Sequence, residues 1–153
     1  MSQHEAADGD WESLRATIPP GAVLVTDSAQ APWGQALLTS RHVLFADEVA
    51  SRNGRDSGPN PHELVLMALG ACTAITLRMY AARKAWPIER VAVRLNYRYA
   101  GDDGPLQQIE RRIEVEGPLD EAQRKRLLEI AEKCPVHRML SAGLKIHSTL
   151  GMD

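Results

Sequence analysis

An uncharged apolar segment from Leu64 to Leu77 constrains the fold of this chain more than any other feature. It is about 14 residues long, whereas a membrane-spanning helix needs roughly 20, so we expect a buried core helix. Asn60 can cap the start of this helix, and Pro61 suits its first position. The helix is expected to continue to about Arg83 and is apolar on nearly all sides. It therefore requires a sheet against one side and a second surface, which could be a partner subunit, against the other.

Antiparallel strands are predicted before and after this helix in the sequence. Apolar and polar residues alternate over 91–99 and again over 109–116, which is the pattern of half-buried strands. Turn-forming residues from Gly101 to Pro105 separate the two strands and predict a hairpin. Three short β-prone runs between Ala22 and Phe45 predict an N-terminal meander. The expected fold class is α+β, with a long central helix packed on antiparallel sheets.

The C-terminal part is predicted to contain two more helices and a last strand. Asp120 and Gln123 have the spacing of a capping box at the start of the first of these helices. Proline disfavours helical geometry in the residue before it and suits the first turn of a helix, so Cys134 before Pro135 should begin a new helix. Residues 144–150 are expected to form the strand that completes the domain.

Length and charge restrict the classes of function. The chain has 153 residues, the size of one domain. Residues 1–11 are polar and lack periodicity, so we expect a flexible N-terminal tail there and one domain over 12–153. The net charge of −2, with interspersed signs, offers no basic surface for nucleic acid or an anionic membrane. The N-terminus lacks the pattern of a secretion signal, so a cytoplasmic location is expected.

The two cysteines, Cys72 and Cys134, carry most of the functional information. A chain without a secretion signal keeps few cysteines as apolar core residues, metal ligands or redox groups rather than as structural disulfides. Cys72 shares an apolar helix face with Leu69 and Met79, which by itself favours a core residue. Cys134 is expected at a helix N-terminus, where free N–H groups and the helix dipole favour the reactive thiolate.

Two other uses of these thiols are open on the residues alone. Cys134 and His137 have a C-x-x-H spacing, but structural zinc takes four ligands in paired clusters, and Cys72 has no nearby ligand beyond His62. A cysteine–histidine pair for acyl transfer could use His137 or His62 as its base, without a local motif to support it. We expect neither a metal nor a cofactor.

Three segments resemble the OsmC/Ohr family of thiol-dependent peroxide reductases. They are GPNPHEL at 58–64, ALGACTA at 68–74 and CPVHR at 134–138. The similarity extends over about residues 20–150 and includes Arg41-His42 and the segment 119–121. Either cysteine segment alone would be suggestive, and the two in this order make the resemblance specific.

This resemblance implies an intertwined homodimer, with two long central helices flanked by sheets and active sites at the subunit interface. Cys72 would be the peroxidatic cysteine, which attacks the peroxide oxygen and becomes a sulfenic acid. Cys134 would resolve this acid to a disulfide, and a thiol or dithiol reductant would then restore both thiols. The implied activity is reduction of organic hydroperoxides in defence against oxidative stress. Apolar neighbours such as Leu69 and Met79 would favour an alkyl peroxide over hydrogen peroxide.

The sequence departs from the family at two positions that orient the peroxide. Family members with peroxidase activity commonly carry a glutamate directly after the Asn-Pro pair, and that residue is His62 here. Glu63 is the adjacent candidate, although its place nine residues before Cys72 puts it about 180° around the helix. The early-strand arginine of the family has no clean match, so Arg41 is the candidate cation and Arg55 the second choice.

These departures keep two other functions open. A dimer with the OsmC-like fold and both cysteines, but with little catalysis, would serve as a redox sensor or a small-ligand binding module. A purely structural dimer would keep both cysteines inert in the folded state. Peroxide turnover and alkylation of the native thiols distinguish the three functions.

Overall fold

The computed structural model describes residues 10–102 and 104–151. Within these ranges it contains four α-helices, five β-strands and a short 3-10 helix at Ala50–Arg52. The chain divides into two units, Met1–Val65 and Leu66–Asp153. The combination of helices with antiparallel strands confirms the predicted α+β class. The elements are α1 (Trp11–Ala16), β1 (Leu24–Asp27), β2 (Gln35–Leu38), β3 (Val43–Ala46), α2 (Pro61–Arg83), β4 (Arg90–Tyr99), β5 (Leu106–Glu116), α3 (Glu121–Ala131) and α4 (Pro135–Ala142).

The first unit is built on a three-stranded antiparallel sheet in the order β1-β2-β3. Leu38 of β2 lies opposite Leu24 of β1 and Val43 of β3. Side chains alternate between the two faces of a strand, which places Ala36 and Leu38 together in the core beside Ile18. The sheet confirms the N-terminal meander that the short β-prone runs predicted.

Helix α1 was not predicted from the sequence. Its N-cap is Asp10, whose carboxylate accepts a hydrogen bond from a backbone N–H of the first turn. Trp11 packs on the core of the first unit and meets Phe45 edge to face, with ring centroids 6.5 Å apart. The flexible tail predicted for residues 1–11 therefore ends before Asp10, and residues 1–9 lie outside the described ranges, where it stays a prediction.

A buried carboxylate holds the loop that follows β3. Asp47 is only 2% exposed. It accepts hydrogen bonds from the backbone N–H groups of Glu48, Arg55 and Ser57 and from the Ser57 hydroxyl. Burial by itself would raise the pKa of Asp47, but these hydrogen bonds outweigh burial and lower the pKa. The carboxylate therefore fastens the chain on its way to α2.

Helix α2 has the bounds that the sequence predicted, Pro61–Arg83. Its buried residues recur every four positions and so form one stripe along the helix. Leu77 of this stripe packs in the core of the second unit with residues of α3. The stripe consists of Leu69, Thr73, Leu77 and Ala81, and the α3 residues are Leu127, Ile130 and Ala131.

The remaining surface of α2 is apolar and uncovered. Met67, Ile75 and Met79 are 55%, 58% and 62% exposed. By length and composition alone, α2 could cross a membrane, and 22% of its most apolar 18-residue window is buried within the chain. The complete burial of Leu77 against α3 is nevertheless the packing of a core helix. The predicted requirement for a second covering surface therefore persists in the structure.

The predicted hairpin forms the sheet of the second unit. β4 and β5 pair antiparallel from Arg90 opposite Glu116 to Tyr99 opposite Leu106. α3 begins with the predicted capping box: Asp120 accepts from the Gln123 backbone N–H at 2.7 Å and donates its own to the Gln123 side chain at 2.9 Å. Apolar side chains of both strands, among them Val91, Ile113 and Val115, pack on the core around Leu77.

The last predicted strand, at residues 144–150, is wrong. The structure shows no strand there, and Leu144, Ile146 and Leu150 are 69%, 87% and 92% exposed. The alternation of side chains is suited to a strand, but a strand also needs a neighbour to pair its backbone N–H and C=O groups. None of the five strands in the described ranges pairs with this segment.

Candidate redox site

Helix α2 places Cys72 on the second unit, beside the buried stripe and partly exposed. Its thiol interacts with the backbone N–H of Val136 and with the hydroxyl of Thr76, one turn further along the helix. Thr73, the next residue in the chain, is fully buried and donates its hydroxyl hydrogen bond to the Leu69 carbonyl at 2.7 Å. Cys72 thus has polar partners in an otherwise apolar part of the helix.

The second cysteine occupies the start of α4, as the sequence predicted. Cys134 is the N-cap of this helix and is 0% exposed. Its sulfur interacts with the backbone N–H groups of Val136 and His137 and with the Thr73 hydroxyl. These N–H groups belong to the first turn, where the helix itself provides no acceptors. The helix start therefore supplies Cys134 with donors that stabilise a negative sulfur.

The structure brings the two thiols together. Both cysteines are free, and their side chains interact with each other. Burial and the neighbouring Cys134 raise the pKa of Cys72. Burial would also raise the pKa of Cys134, but its interactions with Cys72, with the helix start and with Thr73 outweigh burial and lower the pKa. Cys134 is the buried thiol at the helix start, whereas Cys72 is the thiol that solvent reaches.

Arg111 of β5 extends this cluster and was missed in the sequence. Its side chain is 9% exposed. The guanidinium donates to the Thr73 hydroxyl oxygen at 3.0 Å, to the Ala131 carbonyl at 3.4 Å and to the Glu132 carboxylate at 3.1 Å. It therefore ties the residue next to Cys72 to the end of α3, two to three residues before Cys134. The signal was available, because Arg111 stands in the apolar phase of the alternation formed by Ile109 and Ile113.

Glu132 connects the arginine to α4. One of its carboxylate oxygens accepts from Arg111, and the other lies 3.3 Å from Nε2 of His137. Glu132 is 58% exposed, so solvent screens this end of the network. The side chains run in order from His137 through Glu132, Arg111 and Thr73 to the two sulfurs.

The other predicted site residues lie in the first unit, and the contacts described for them are with residues of that unit. Glu63 forms a capping box with Asn60: its carboxylate accepts from the Asn60 N–H at 2.9 Å, and its own N–H donates to the Asn60 side chain at 3.0 Å. Arg41 is exposed, and its backbone carbonyl accepts from Arg15 at 3.2 Å. The guanidinium of Arg55 donates to the Gln30 carbonyl at 3.2 Å. Of the four predicted site residues, Cys72 and Cys134 lie together in the second unit.

Within the described residues, no group of three or more histidine, cysteine or acidic side chains is placed to hold a metal ion. The polar groups around the sulfurs are hydrogen-bond donors and one guanidinium rather than additional ligands. Two adjacent thiols, of which one is accessible and the other is buried at a helix start, can carry out thiol–disulfide chemistry.

Comparison with known proteins identifies the family of the chain. Residues 54–149 match the sequence profile of the OsmC-like protein family. The chain belongs to the OsmC-like family. The match includes α2 with Cys72 and the whole second unit up to residue 149, so it contains both cysteines. No curated protein matches the sequence.

Solved OsmC-like structures share the fold. An OsmC-like protein from Mycoplasma pneumoniae has a TM-score of 0.65 at 16% identity, over 78% of this chain and 86% of that chain. The organic hydroperoxide resistance protein OsmC from Legionella pneumophila has a TM-score of 0.58 at 16% identity, over 78% and 89%. An OsmC-like hydroperoxide resistance protein from Jannaschia sp. CCS1 has a TM-score of 0.50 at 22% identity, over 78% and 85%. These likenesses show the fold.

Proposed function

We propose that the protein reduces organic hydroperoxides through a thiol–disulfide cycle of Cys72 and Cys134, in defence against oxidative stress. The observation that carries this proposal is the interaction of two free thiols in the folded chain, one of them at a helix N-terminus. Membership of the OsmC-like family supports it, because the relatives from Legionella and Jannaschia are named hydroperoxide resistance proteins.

The exposure of the two cysteines supports one order of events. Cys72 is partly exposed and attacks the peroxide, so that its sulfur becomes a sulfenic acid and an alcohol leaves. Cys134 is buried beside it and attacks the sulfenic sulfur to form a disulfide with loss of water. A small thiol or a dithiol protein then reduces the disulfide. No metal and no cofactor takes part in this cycle.

The apolar surface of α2 supports an organic substrate and a second copy of the chain. Met79 lies seven residues after Cys72, on the same helix face, and is 62% exposed. An alkyl group packed there would bring the peroxide to the sulfur by burial. We also propose that a second copy covers the rest of the exposed apolar surface to give a homodimer in the cytoplasm, with the site at the subunit interface. Light scattering in solution tests the dimer.

Mass spectrometry after one equivalent of cumene hydroperoxide tests the cycle. The reduced native protein is expected to form an intramolecular Cys72–Cys134 disulfide and to lose two free thiols. Cys72→Ser is expected to abolish thiol-dependent peroxide consumption, with Met67→Leu on the same helix as the matched control. Full turnover in Cys72→Ser, or two unmodified thiols in the wild type, would contradict the proposal.

A second candidate function is a redox sensor or small-ligand binding dimer with little turnover. It is favoured by the capping box that occupies the Glu63 carboxylate, and by His62 at the position of the family's glutamate. A reaction that forms the disulfide once but shows slow, non-saturating turnover with excess dithiol would select this function over the first.

A further inference from the structure

Arg111 occupies an inward-facing position of β5, where the alternation of the strand favours an apolar residue. The residues two before and two after it, Ile109 and Ile113, are both apolar. The Arg111 side chain is nevertheless only 9% exposed. A guanidinium is costly to bury, and it is retained in a protein interior only where partners satisfy its charge and its N–H groups. The partners of Arg111 therefore indicate what this position does in the fold.

One nitrogen of the guanidinium bridges the two segments that carry the cysteines. Nη1 donates to the Thr73 hydroxyl oxygen at 3.0 Å and to the Ala131 carbonyl at 3.4 Å. Thr73 directly follows Cys72 in α2. The Ala131 carbonyl also accepts a hydrogen bond from the backbone N–H of Cys134, at 3.3 Å. Hydrogen bonds therefore run without a gap from the residue beside Cys72, through Arg111, to the backbone of Cys134.

This bridge is closed to water. Thr73, Ala131 and Cys134 are each 0% exposed. Water does not compete for hydrogen bonds in such an interior, so they hold their groups more firmly than bonds at the surface. The second terminal nitrogen, Nη2, donates to the Glu132 carboxylate at 3.1 Å and so balances the charge at the solvent end. Arg111 therefore acts on the thiols through the segments that carry them.

We infer that Arg111 is a positioning residue for disulfide closure, which holds the start of α4 beside α2 at the separation that a Cys72–Cys134 bond requires. This inference rests on the proposed function and deepens it by assigning a residue to its second chemical step. A disulfide forms only where the two α-carbons lie within about 7 Å of each other. Attack of Cys72 on a peroxide needs no such agreement between two segments, so the first step should not depend on Arg111.

Disulfide closure is a displacement at the oxidised sulfur of Cys72. The Cys134 thiol gives its proton to water, and the electron pair of the broken S–H bond forms the S–S bond. The S–O bond of the sulfenic acid breaks, and its electron pair leaves on hydroxide, which the released proton converts to water. No external oxidant or reductant takes part. The Cys134 sulfur must approach along the S–O bond, so a shift of α4 relative to α2 slows this step.

Trapping of the sulfenic acid tests the inference. The reduced protein is mixed with excess cumene hydroperoxide and dimedone, which captures the Cys72 sulfenic acid before the disulfide closes, and mass spectrometry quantifies both products. In Arg111→Met the ratio of dimedone adduct to disulfide should rise about tenfold, while the rate of Cys72 oxidation stays within about twofold of the wild type. Arg112→Met is the matched control and should behave as the wild type. An unchanged ratio, or equal slowing of both steps, would overturn the inference.

A glutathione redox buffer provides a second measurement that needs no peroxide. The fraction of Cys72–Cys134 disulfide at equilibrium gives the effective concentration of one thiol at the other. This concentration should fall about tenfold in Arg111→Met and less in Arg111→Lys, and a wild-type value in the folded methionine variant would overturn the inference. If circular dichroism shows Arg111→Met to be unfolded, Arg111→Lys decides, and wild-type values in both measurements would overturn the inference.

Failure of the proposed function has a different signature. The wild type would then form no disulfide after peroxide, whereas the redox buffer would still show whether Arg111 positions the two cysteines.

Discussion

Each of the two units contains a charged side chain that is largely removed from solvent, Asp47 in the first and Arg111 in the second, and the two side chains serve different purposes. Asp47 in the first unit takes four hydrogen bonds, all from its own loop. Arg111 in the second unit takes partners from three elements or their ends: Thr73 of α2, Ala131 of α3 and Glu132 beyond it. Both charges are satisfied, as buried charges must be. Only Arg111 is connected to a reactive group.

The difference teaches that burial and hydrogen bonding alone do not identify a functional charge. The partners of Asp47 end at backbone N–H groups and one serine, so the carboxylate stabilises a loop. The partners of Arg111 continue through Thr73 to Cys134, so the guanidinium positions the thiol pair. Substitutions at the two sites should therefore separate stability from thiol chemistry, with the rate of Cys72–Cys134 disulfide formation as the common measurement.

Arg111→Met should have the largest effect on that rate, a decrease of about tenfold, because a small displacement of the thiols is costly to a reaction that depends on their contact. Arg112→Met is the matched control, since Arg112 is the next residue of β5, is 80% exposed and pairs with Glu114 at 3.3 Å. Arg111→Lys should recover the rate only in part, because one ammonium cannot reproduce the three contacts. Equal rates for Arg111→Met and Arg112→Met would mean that Arg111 does not position the thiols. Arg111 would then differ from Asp47 in no functional respect.

Thr73→Val should lower the rate about three- to fivefold. The change keeps the shape of the side chain but removes the hydroxyl that interacts with Cys134, so the first ionisation of the thiol pair should move to higher pH. Loss of the buried hydroxyl should also cost about 1–2 kcal/mol of unfolding free energy. Absorbance titration and chemical denaturation measure the two effects. Thr73→Ser, which keeps the hydroxyl, should leave the titration unchanged.

His137→Gln should change the rate by less than about twofold. The backbone N–H of residue 137 still donates to Cys134, and Glu132 keeps its ion pair with Arg111 at 3.1 Å. Contacts of a half-exposed histidine with an exposed carboxylate contribute little. Stopped-flow measurement of disulfide formation tests this, and a decrease as large as that of Arg111→Met would mean that the network depends on its solvent end.

Asp47→Asn should leave the rate of the folded protein unchanged while lowering its melting temperature by roughly 5 °C. The lowered pKa of Asp47 stabilises the fold above its ordinary value of about 3.9, and this contribution is lost as the pH falls through the folded-state pKa. The melting temperature of the variant should therefore fall less than that of the wild type as the pH is lowered. Glu48→Gln is the control, and thermal melts from pH 3 to 7 decide the outcome.

Local signals in the sequence predicted most of the secondary structure. The caps at Asn60 and Asp120 and the helix start at Cys134 are encoded within a few residues, and the hairpin follows from alternation and a turn. Helix α1 was missed because it is short and lies beside a polar N-terminus. The strand at 144–150 was wrong because pairing depends on a neighbour elsewhere in space.

Local signals in the sequence also predicted part of the candidate site. Cys72 and Cys134 were chosen from their motifs, and the place of Cys134 at a helix start follows from the proline after it. The two cysteines lie about sixty residues apart in the sequence, so no local sequence pattern predicts that their thiols meet. Arg111 was missed because a charged residue in a strand with many charges is expected to be exposed. Its position in the alternation is nevertheless one of the inward-facing positions, together with Ile109 and Ile113.

The unequal exposure of the two sulfurs also makes this protein convenient to label. Cys134 is 0% exposed, whereas Cys72 lies partly at the surface. A fluorophore or spin label too large to enter the core should attach at a single position on α2 without removal of the other cysteine. The probe would then stand beside the exposed apolar side of the helix, where it could report directly on whatever covers that surface in solution.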